Sequence, residues 1–513
     1  MDSPINEFLP TLPQLLIFVP EIILVVAAIL VLVVDAIMPK SRSRVGHLVA
    51  SIALVISIIA SMLVSSSAET VFAQAGMGAK LPAVFSFAPL GLVCGAVLGF
   101  CGLLAVHVAD TVRVRTEFSS HISNHLILVA TAAAMALLKA SNLIAFFVLL
   151  ETLTVTLYAL VGSYRKSVPS LEAAVKYLIA GGVSGAIMLF GIVLIYGSAS
   201  LYGNAGDPLS YVAVRELLAT HQNSVLPLVG AGMILVGIMF KFGIFPMQFW
   251  IPDTYQGAPL HVTFLLATLS KATGFFLMLV FIEIVFEPIF PVLFPVLLVL
   301  TLISMIYANT TALGQQRVKR LIGLSGVSHA SYMMLAILAL ARLSYGDFTK
   351  EFHEAADLAL FLYIIVYILT LYPVFATMAR IQTRTGDEAF LDFDDFRGLA
   401  KRSPLLAGAL ASGLSSLAGI PPTVGFIAKL ALLIIVFAAE LYVPAIIMLI
   451  CVVASIYYYF SWFRSAFSTD GIPEEVQNCE ILKPAFTSRI SLLFFSALIL
   501  VGGIIYFAVL NLL

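Results

Sequence analysis

The sequence predicts an all-α, polytopic membrane protein, and three observations carry that prediction. Of its 513 residues, 61% are hydrophobic and only 11% charged, with a mean hydropathy of +1.07. Soluble domains carry about 25% charged residues, so a water-soluble reading is excluded. The apolar residues come in runs of about 20, the length a helix needs to cross the hydrocarbon core. Lysines and arginines crowd alternate connections, as the positive-inside rule requires of a threaded chain.

Fourteen spans are predicted, centred roughly on residues 26, 56, 98, 132, 152, 184, 237, 273, 299, 330, 367, 423, 453 and 498. The first, about Leu15 to Ile37, is long enough to span and has no basic segment before it, which argues against a cleavable signal. The spans at 237 and 423 are longer than the rest and interrupted by proline. The segment Ser210–His221 has helical periodicity and is expected to lie flat at the interface. With the N-terminus outside, the inside connections hold eighteen basic residues, among them Lys40, Arg42, Arg44, Arg113, Arg115, Arg317, Lys319, Arg320, Arg380, Arg384, Arg397, Lys401 and Arg402. Outside lie only Lys80, Lys139, Arg215, Arg342 and Lys350. Both termini are therefore expected outside, with an even number of spans.

Composition also limits the chemistry. A net charge of -1 gives no reason to expect nucleic acid as a partner. Cys94, Cys101, Cys451 and Cys479 are isolated, without Cys-x-x-Cys spacing, so a metal or iron–sulfur site in this chain is not expected. A dinucleotide-binding glycine motif is likewise missing, so the chain is not expected to oxidise a nicotinamide itself.

The informative residues are the ionisable ones inside spans: Glu151, Lys176, Lys241, Lys271, His329 and Lys429. A lone lysine at the bilayer centre costs about 3 kcal/mol or more, and such groups usually face a bundle interior or a water path. The plainer alternative is that each snorkels to the surface or closes a structural ion pair. Six such groups in one bundle favour the functional reading. Glu151 begins a polar stripe with Thr154 and Tyr158. Lys176 lies one helix later, where Gly181 and Gly185 allow close approach, so a Glu151–Lys176 pair is expected. Lys176 is also near its helix start, which strengthens the structural alternative there.

Lys241 precedes Pro246, and Lys429 follows Pro421 and Pro422. A proline inside a span frees backbone carbonyls, and this is tolerated where the break lines a cavity. Two proline-interrupted spans, each with one lysine, point to an internal repeat with ion sites at the breaks. Desolvation disfavours the charged amine in general, so lysines in such places are able to load and release protons. Lys271 lies between the two breaks. His329 shares a helical face with Ser325 and Tyr332, hydroxyls that suit either a structural role or a proton relay.

FKFGIFPMQFWIPDTYQGAP resembles the broken-helix signature of the antiporter-like subunits of respiratory complex I, a family shared with Mrp-type cation/proton antiporters. NTTALGQQRVKRLIGLSGVSHASYMM and FRGLAKRSPLLAGALASGLSSLAGIPPTVGFIAK resemble its second-half signatures. SLEAAVKYLIAGGVSGAIMLFGIVLIYG and the opening LLIFVPEIILVVAAILVLVVDAI resemble most closely the subunit N branch. The resemblance implies about 14 transmembrane helices, with a three-helix segment over 1–124, inverted five-helix repeats over 125–287 and 288–466, and a loop and last helix over 467–513.

It further implies proton translocation in a bacterial inner membrane, driven by redox chemistry in other subunits of the membrane-bound complex. NADH, FMN, iron–sulfur clusters and quinone are expected in those partners. Glu151 and Lys176 match the modulating ion pair, Lys241 and Lys429 the broken-helix lysines, Lys271 the bridging lysine, and His329 the histidine of the second repeat. The chain departs from the pattern at Thr156 (usually Pro), Gln248 (usually His) and Leu369–Tyr372. Two other classes stay open: a cation/proton antiporter subunit without redox coupling, and a structural subunit whose buried charges only hold helices together.

Overall fold

In a hydrocarbon environment backbone amides have no water to bond, so a chain of this composition satisfies them within helices. The computed structural model describes residues 17–37, 42–66, 88–116, 121–202, 207–345, 350–468, 472, 476, 479 and 481–510, and no strand occurs among them. The principal helices are α1 (Val19–Ile37), α2 (Arg42–Ser66), α3 (Ala88–Thr116), α4 (His121–Leu137), α5 (Leu143–Val161), α6 (Val168–Tyr202), α7 (Tyr211–Thr220), α8 (Val225–Phe242) and α9 (Ile251–Gly257). They continue with α10 (Leu260–Val285, including two π-helical turns), α11 (Phe290–Leu313), α12 (Val318–Leu343), α13 (Lys350–Met378), α14 (Pro404–Ala418), α15 (Val424–Ala438), α16 (Tyr442–Phe467) and α17 (Phe486–Leu510). Eleven of the described helices are long and apolar enough to cross a membrane, and α1, α4, α14 and α15 contain shorter apolar stretches. Thirteen of the expected span centres fall on helices, and the fourteenth, at 423, falls in the gap between α14 and α15.

The helix ends form two contrasting faces. At one end the basic connections meet: Arg320 pairs with Asp253 at 3.0 Å, and Arg384 with Asp392 at 2.8 Å and Asp395 at 3.1 Å. Arg402 donates to the Val476 carbonyl at 3.0 Å there, closing the residue 380–403 connection over α16. At the opposite end Lys139 pairs with Glu21 at 2.7 Å, Asn142 donates to Asp207 at 2.6 Å, and Arg215 pairs with Glu287 at 3.0 Å. Lys40 and Lys80, and the side chains of Arg42, Arg44, Arg113, Arg115 and Lys350, lie outside the described residues.

The segment expected at the interface is α7, capped by Ser210, with Tyr211, Val214, Leu217 and Leu218 buried beneath it. Lys139, expected outside, lies at the Arg215–Glu287 end and is buried against Glu21, because the end of α4 packs on the start of α1. Lys319 is also buried, donating to the Ala258 carbonyl at the end of α9.

Two helices occupy the interior. The most apolar stretch of α12 is wholly buried and that of α10 is 94% buried, whereas α2 and α17 present most of theirs to the surroundings. Lys271 and His329 sit on these two inner helices, so their polar atoms meet protein on every side.

Candidate functional site

Two chain breaks position the site. In the first, α8 ends at Gly243, whose left-handed φ of 81° turns the chain out of the helix before Phe245–Pro246. In the second, α14 ends at Gly419, with φ 77°, before Pro421–Pro422. Left-handed backbone favours glycine, and proline cannot continue the helical ladder, so the repeated local pattern Gly-Ile-x-Pro breaks both helices the same way. α8 starts at the Arg215–Glu287 end and α14 at the basic end, so the broken helices run in opposite directions. Each delivers a helix C-terminus, with its unbonded carbonyls and partial negative charge, to the interior.

A glycine aims a lysine at each break. On α10, a Cβ on Gly274 would lie 2.7 Å from the backbone N and Cα of Phe242, so only glycine lets α10 touch the end of α8. Lys271, three residues before Gly274 on the same face, thereby reaches Gly243, with its Nζ 3.5 Å from where a Cβ there would stand. On α15, Gly425 packs against the Ser416 backbone, where a Cβ would come within 2.0 Å of the Ser416 carbonyl oxygen. Lys429, four residues on, reaches back and donates to the carbonyls of Leu417 at 2.7 Å and Ala418 at 3.1 Å. Lys429 itself stands about a turn and a half into α15, so only its amine is at the break.

Lys241 is placed differently. It sits two residues before Gly243, only 2% exposed, with its Nζ 5.8 Å from the Tyr177 ring centre and 5.6 Å from that of Phe240. Among the described residues its amine has no hydrogen-bond partner, and neither does that of Lys271. Glu151 is half-buried and interacts electrostatically with Lys241. Gly181 and Gly185 serve as expected: Cβ atoms there would strike the Tyr158 hydroxyl at 1.6 Å and the Glu151 carboxylate at 2.7 Å.

The expected Glu151–Lys176 pair does not form. Lys176 pairs with Glu172 at 2.7 Å and with Asp253 at 2.9 Å, its side chain 46% exposed at the basic end. The reason is helix length. α6 has 35 residues, so it spans about 52 Å at 1.5 Å per residue, well beyond a hydrocarbon core of about 30 Å. Lys176 lies nine residues before Gly185, about 13 Å along the axis from the level of Glu151. The interior cation whose charge acts on Glu151 is Lys241, without an ion pair between the two.

The row continues from Lys271 into the second half. A Cβ on Gly326 of α12 would meet Lys271 Nζ at 3.3 Å and the Tyr367 hydroxyl at 3.2 Å, so the lysine and the tyrosine converge on this glycine. One turn further along α12, His329 Nδ1 shares a hydrogen bond of 2.8 Å with the Tyr363 hydroxyl, and its ring lies 5.0 Å from that of Tyr367. His329, Tyr363, Tyr367, Ser416 and Lys429 then line one small cavity of ≈ 10 Å³, about room for a single water. Lys429 Nζ also lies 5.8 Å from the Tyr332 ring centre.

Five of the six expected residues thus form a row in the order Glu151, Lys241, Lys271, His329, Lys429. Tyr177, Tyr363, Tyr367 and Gly326 were not singled out from sequence. Tyr363, Tyr367 and Thr370 recur every three to four residues in a largely apolar span, a one-sided polar stripe that marks an inward face.

The geometry agrees with what the chain is similar to. The family described as NADH:quinone oxidoreductase/Mrp antiporter, TM, matches residues 140–456, a segment that contains every residue of the row. The NADH-quinone oxidoreductase subunit N 1 of Opitutus terrae is 40% identical over 460 residues, 88% of this chain and 86% of that protein. Among solved structures, a chain of respiratory complex I from Thermus thermophilus with bound aureothin aligns at TM-score 0.71 and 25% identity, over 96% of this chain and 98% of that one. A chain of the Mrp complex from Dietzia sp. shares the fold at TM-score 0.75 and 18% identity, covering 96% of each. With its two glycine–proline breaks and the lysines aimed at them, this chain belongs to the NADH:quinone oxidoreductase/Mrp antiporter family, on the side of the NADH-quinone oxidoreductase N subunits.

Proposed function

We propose that the chain conducts protons as a membrane-arm subunit of an NADH:quinone oxidoreductase in a bacterial inner membrane. The carrying observation is the row of buried ionisable groups that crosses the interior through both breaks. Electron transfer from NADH through FMN and iron–sulfur clusters to quinone takes place in partner subunits, and this chain supplies the proton path. The basic end faces the negative side, as the positive-inside rule favours, and both termini face the positive side. Residues 125–287 and 288–466 form inverted repeats between a three-helix segment, 1–124, and a loop and last helix, 467–513. The opposite directions of the two broken helices support that division.

Mechanistically, Glu151 holds the charge on Lys241, since an opposite charge nearby favours the protonated amine. When Glu151 is neutralised, the proton on Lys241 is released toward Lys271, beside the carbonyl end of α8. His329 and the Tyr363 hydroxyl relay it to Lys429, whose amine donates to two backbone carbonyls at the second break. Lys176 stands outside the row and fixes Asp253 beside Arg320 at the basic end.

The test is proton pumping per electron pair, measured beside subunit content in inside-out vesicles. Lys241→Ala or Lys429→Ala should lower pumping severalfold, and Glu151→Gln less, each with the subunit present. If the charges only hold helices together, Glu151→Gln strands Lys241 at a cost of about 3–5 kcal/mol and assembly fails. Rescue of assembly by Glu151→Gln with Lys241→Met, together with unaltered pumping in Lys429→Ala, would refute the proposal.

A further inference from the structure

The second break is the more open of the two, and α17 lies across it. At the first break Lys241 to Ile244 are buried, and the Phe245 N–H donates to the Ser304 hydroxyl of α11 at 2.8 Å. At the second, Pro421 and Pro422 are exposed. Proline has no N–H to anchor, and irregular backbone at membrane depth persists only where protein or a water-filled cavity covers it. The cover comes from Gly503. A Cβ there would stand 1.9 Å from the Pro422 carbonyl oxygen, 2.8 Å from the Thr423 carbonyl carbon and 2.9 Å from the Val424 nitrogen. The hydrogen that takes the Cβ position in glycine therefore points at the Pro422 oxygen, a weak C–H to carbonyl contact.

Two turns earlier on the same face of α17, the Ser496 hydroxyl meets that of Ser412 on α14 at 3.1 Å. Nearer the start of α17, Ser491 shares a hydrogen bond of 2.9 Å with Tyr372 on α13. α17 thus touches the chain on both sides of the break, α14 before it and the first turn of α15 after it. Between those anchors Lys429, carried by α15, donates to the Leu417 and Ala418 carbonyls at the end of α14. Packing alone does not call for this arrangement. A helix that only covered its neighbours would meet their side chains, which move to fit. Gly503 meets backbone instead, in the segment that sets how far α15 stands from the end of α14.

We propose that α17 is a splint across the second break, and that Gly503 is a positioning residue for Lys429. It fixes Pro422 to Val424 against α17 while Ser496 holds α14, and so keeps the lysine amine within reach of both carbonyls. Gly503 acts through the backbone of the break and not on the proton. The splint rests on the proposed function, since the placement of Lys429 matters only if that residue carries protons.

The test measures proton pumping per electron pair and subunit content in inside-out vesicles holding the assembled complex. α17 is open on its far side and can back away from an added methyl. Gly503→Ala should therefore lower pumping severalfold at normal subunit content, whereas Gly502→Ala, with nothing within 4 Å, should change neither. In a Lys429→Ala background Gly503→Ala should cost nothing further, because the group it positions is gone. A residue that only packs would lower pumping by the same factor in both backgrounds. If Gly503→Ala fails to assemble, Ser496→Ala decides, because it loosens the splint without adding volume. It should lower pumping about twofold in the native background and not at all in the Lys429→Ala background. Unaltered pumping in both variants, or equal factors in both backgrounds, overturns the splint and leaves the proposed function standing. Unaltered pumping in Lys429→Ala overturns both.

Discussion

The two breaks share a backbone but treat their lysines differently. At the second, the amine of Lys429 is held by two carbonyls at the end of α14. At the first, Lys271 arrives from α10 and Lys241 sits on α8 itself, and neither amine has a hydrogen-bond partner among the described residues. One break therefore presents a satisfied cation site, and the other a pair of loosely held amines with a carboxylate nearby. A proton is expected to rest at the second break and to move at the first. The difference traces to one register choice. The glycine that touches the helix end lies three residues after Lys271 but four residues before Lys429, so the two side chains approach their breaks from opposite directions along their helices.

The comparison is broken most severely by Gly274→Leu. A side chain there meets the Phe242 backbone, which has no rotamer to yield, and overpacking of this kind costs about 1–3 kcal/mol or more. Subunit content in purified membranes should fall sharply, whereas Gly232→Ala, with nothing within 4 Å, should leave it unchanged. Next in size is alanine at the left-handed glycines, where the backbone alone costs about 1–2 kcal/mol. Gly419→Ala also presses on Lys429 Cδ at 2.9 Å, while Gly243→Ala meets mainly Ile251 at 2.4 Å. At matched subunit content Gly419→Ala should lose more pumping than Gly243→Ala, and the reverse order would show that the second break is not the resting site.

Gly326→Ala sharpens the comparison at the junction. A methyl there comes 2.7 Å from Lys271 Cε, the movable end of a side chain, so assembly should survive while pumping drops severalfold. The smallest effect is expected from Tyr363→Phe, which removes the hydroxyl bonded to His329 at 2.8 Å. A hydrogen bond of this kind is worth about 0.5–1.5 kcal/mol, a change of roughly twofold to tenfold in pumping rate at unaltered subunit content.

Local features were the readable ones. Gly181 and Gly185 announced a close neighbour for α5, and the contacts with Tyr158 and Glu151 follow. Proline and glycine marked both breaks, because they act on the residues beside them. Contacts between distant helices were not readable. Nothing near Lys271 in sequence says that its amine meets the end of α8; that depends on Gly274 allowing one backbone to lie on another. Lys176 was assigned to Glu151 because two residues on adjacent helices look close until the axial offset of a 35-residue helix is counted. The burial of Lys139 against Glu21 was not readable either, because the end of α4 and the start of α1 are more than a hundred residues apart in sequence.

The opposed directions of α8 and α14 have an electrical consequence. Each half-helix carries a macrodipole of about half an elementary charge at either end. Both negative ends point at the interior and the positive ends at opposite faces, so the two dipoles nearly cancel along the membrane normal. A voltage across the membrane therefore exerts little net pull on the pair of scaffolding helices. It acts instead on whatever charge travels between them, at about 2.3 kcal/mol per elementary charge for each 100 mV crossed. The scaffold stays indifferent to the field that its cargo must climb.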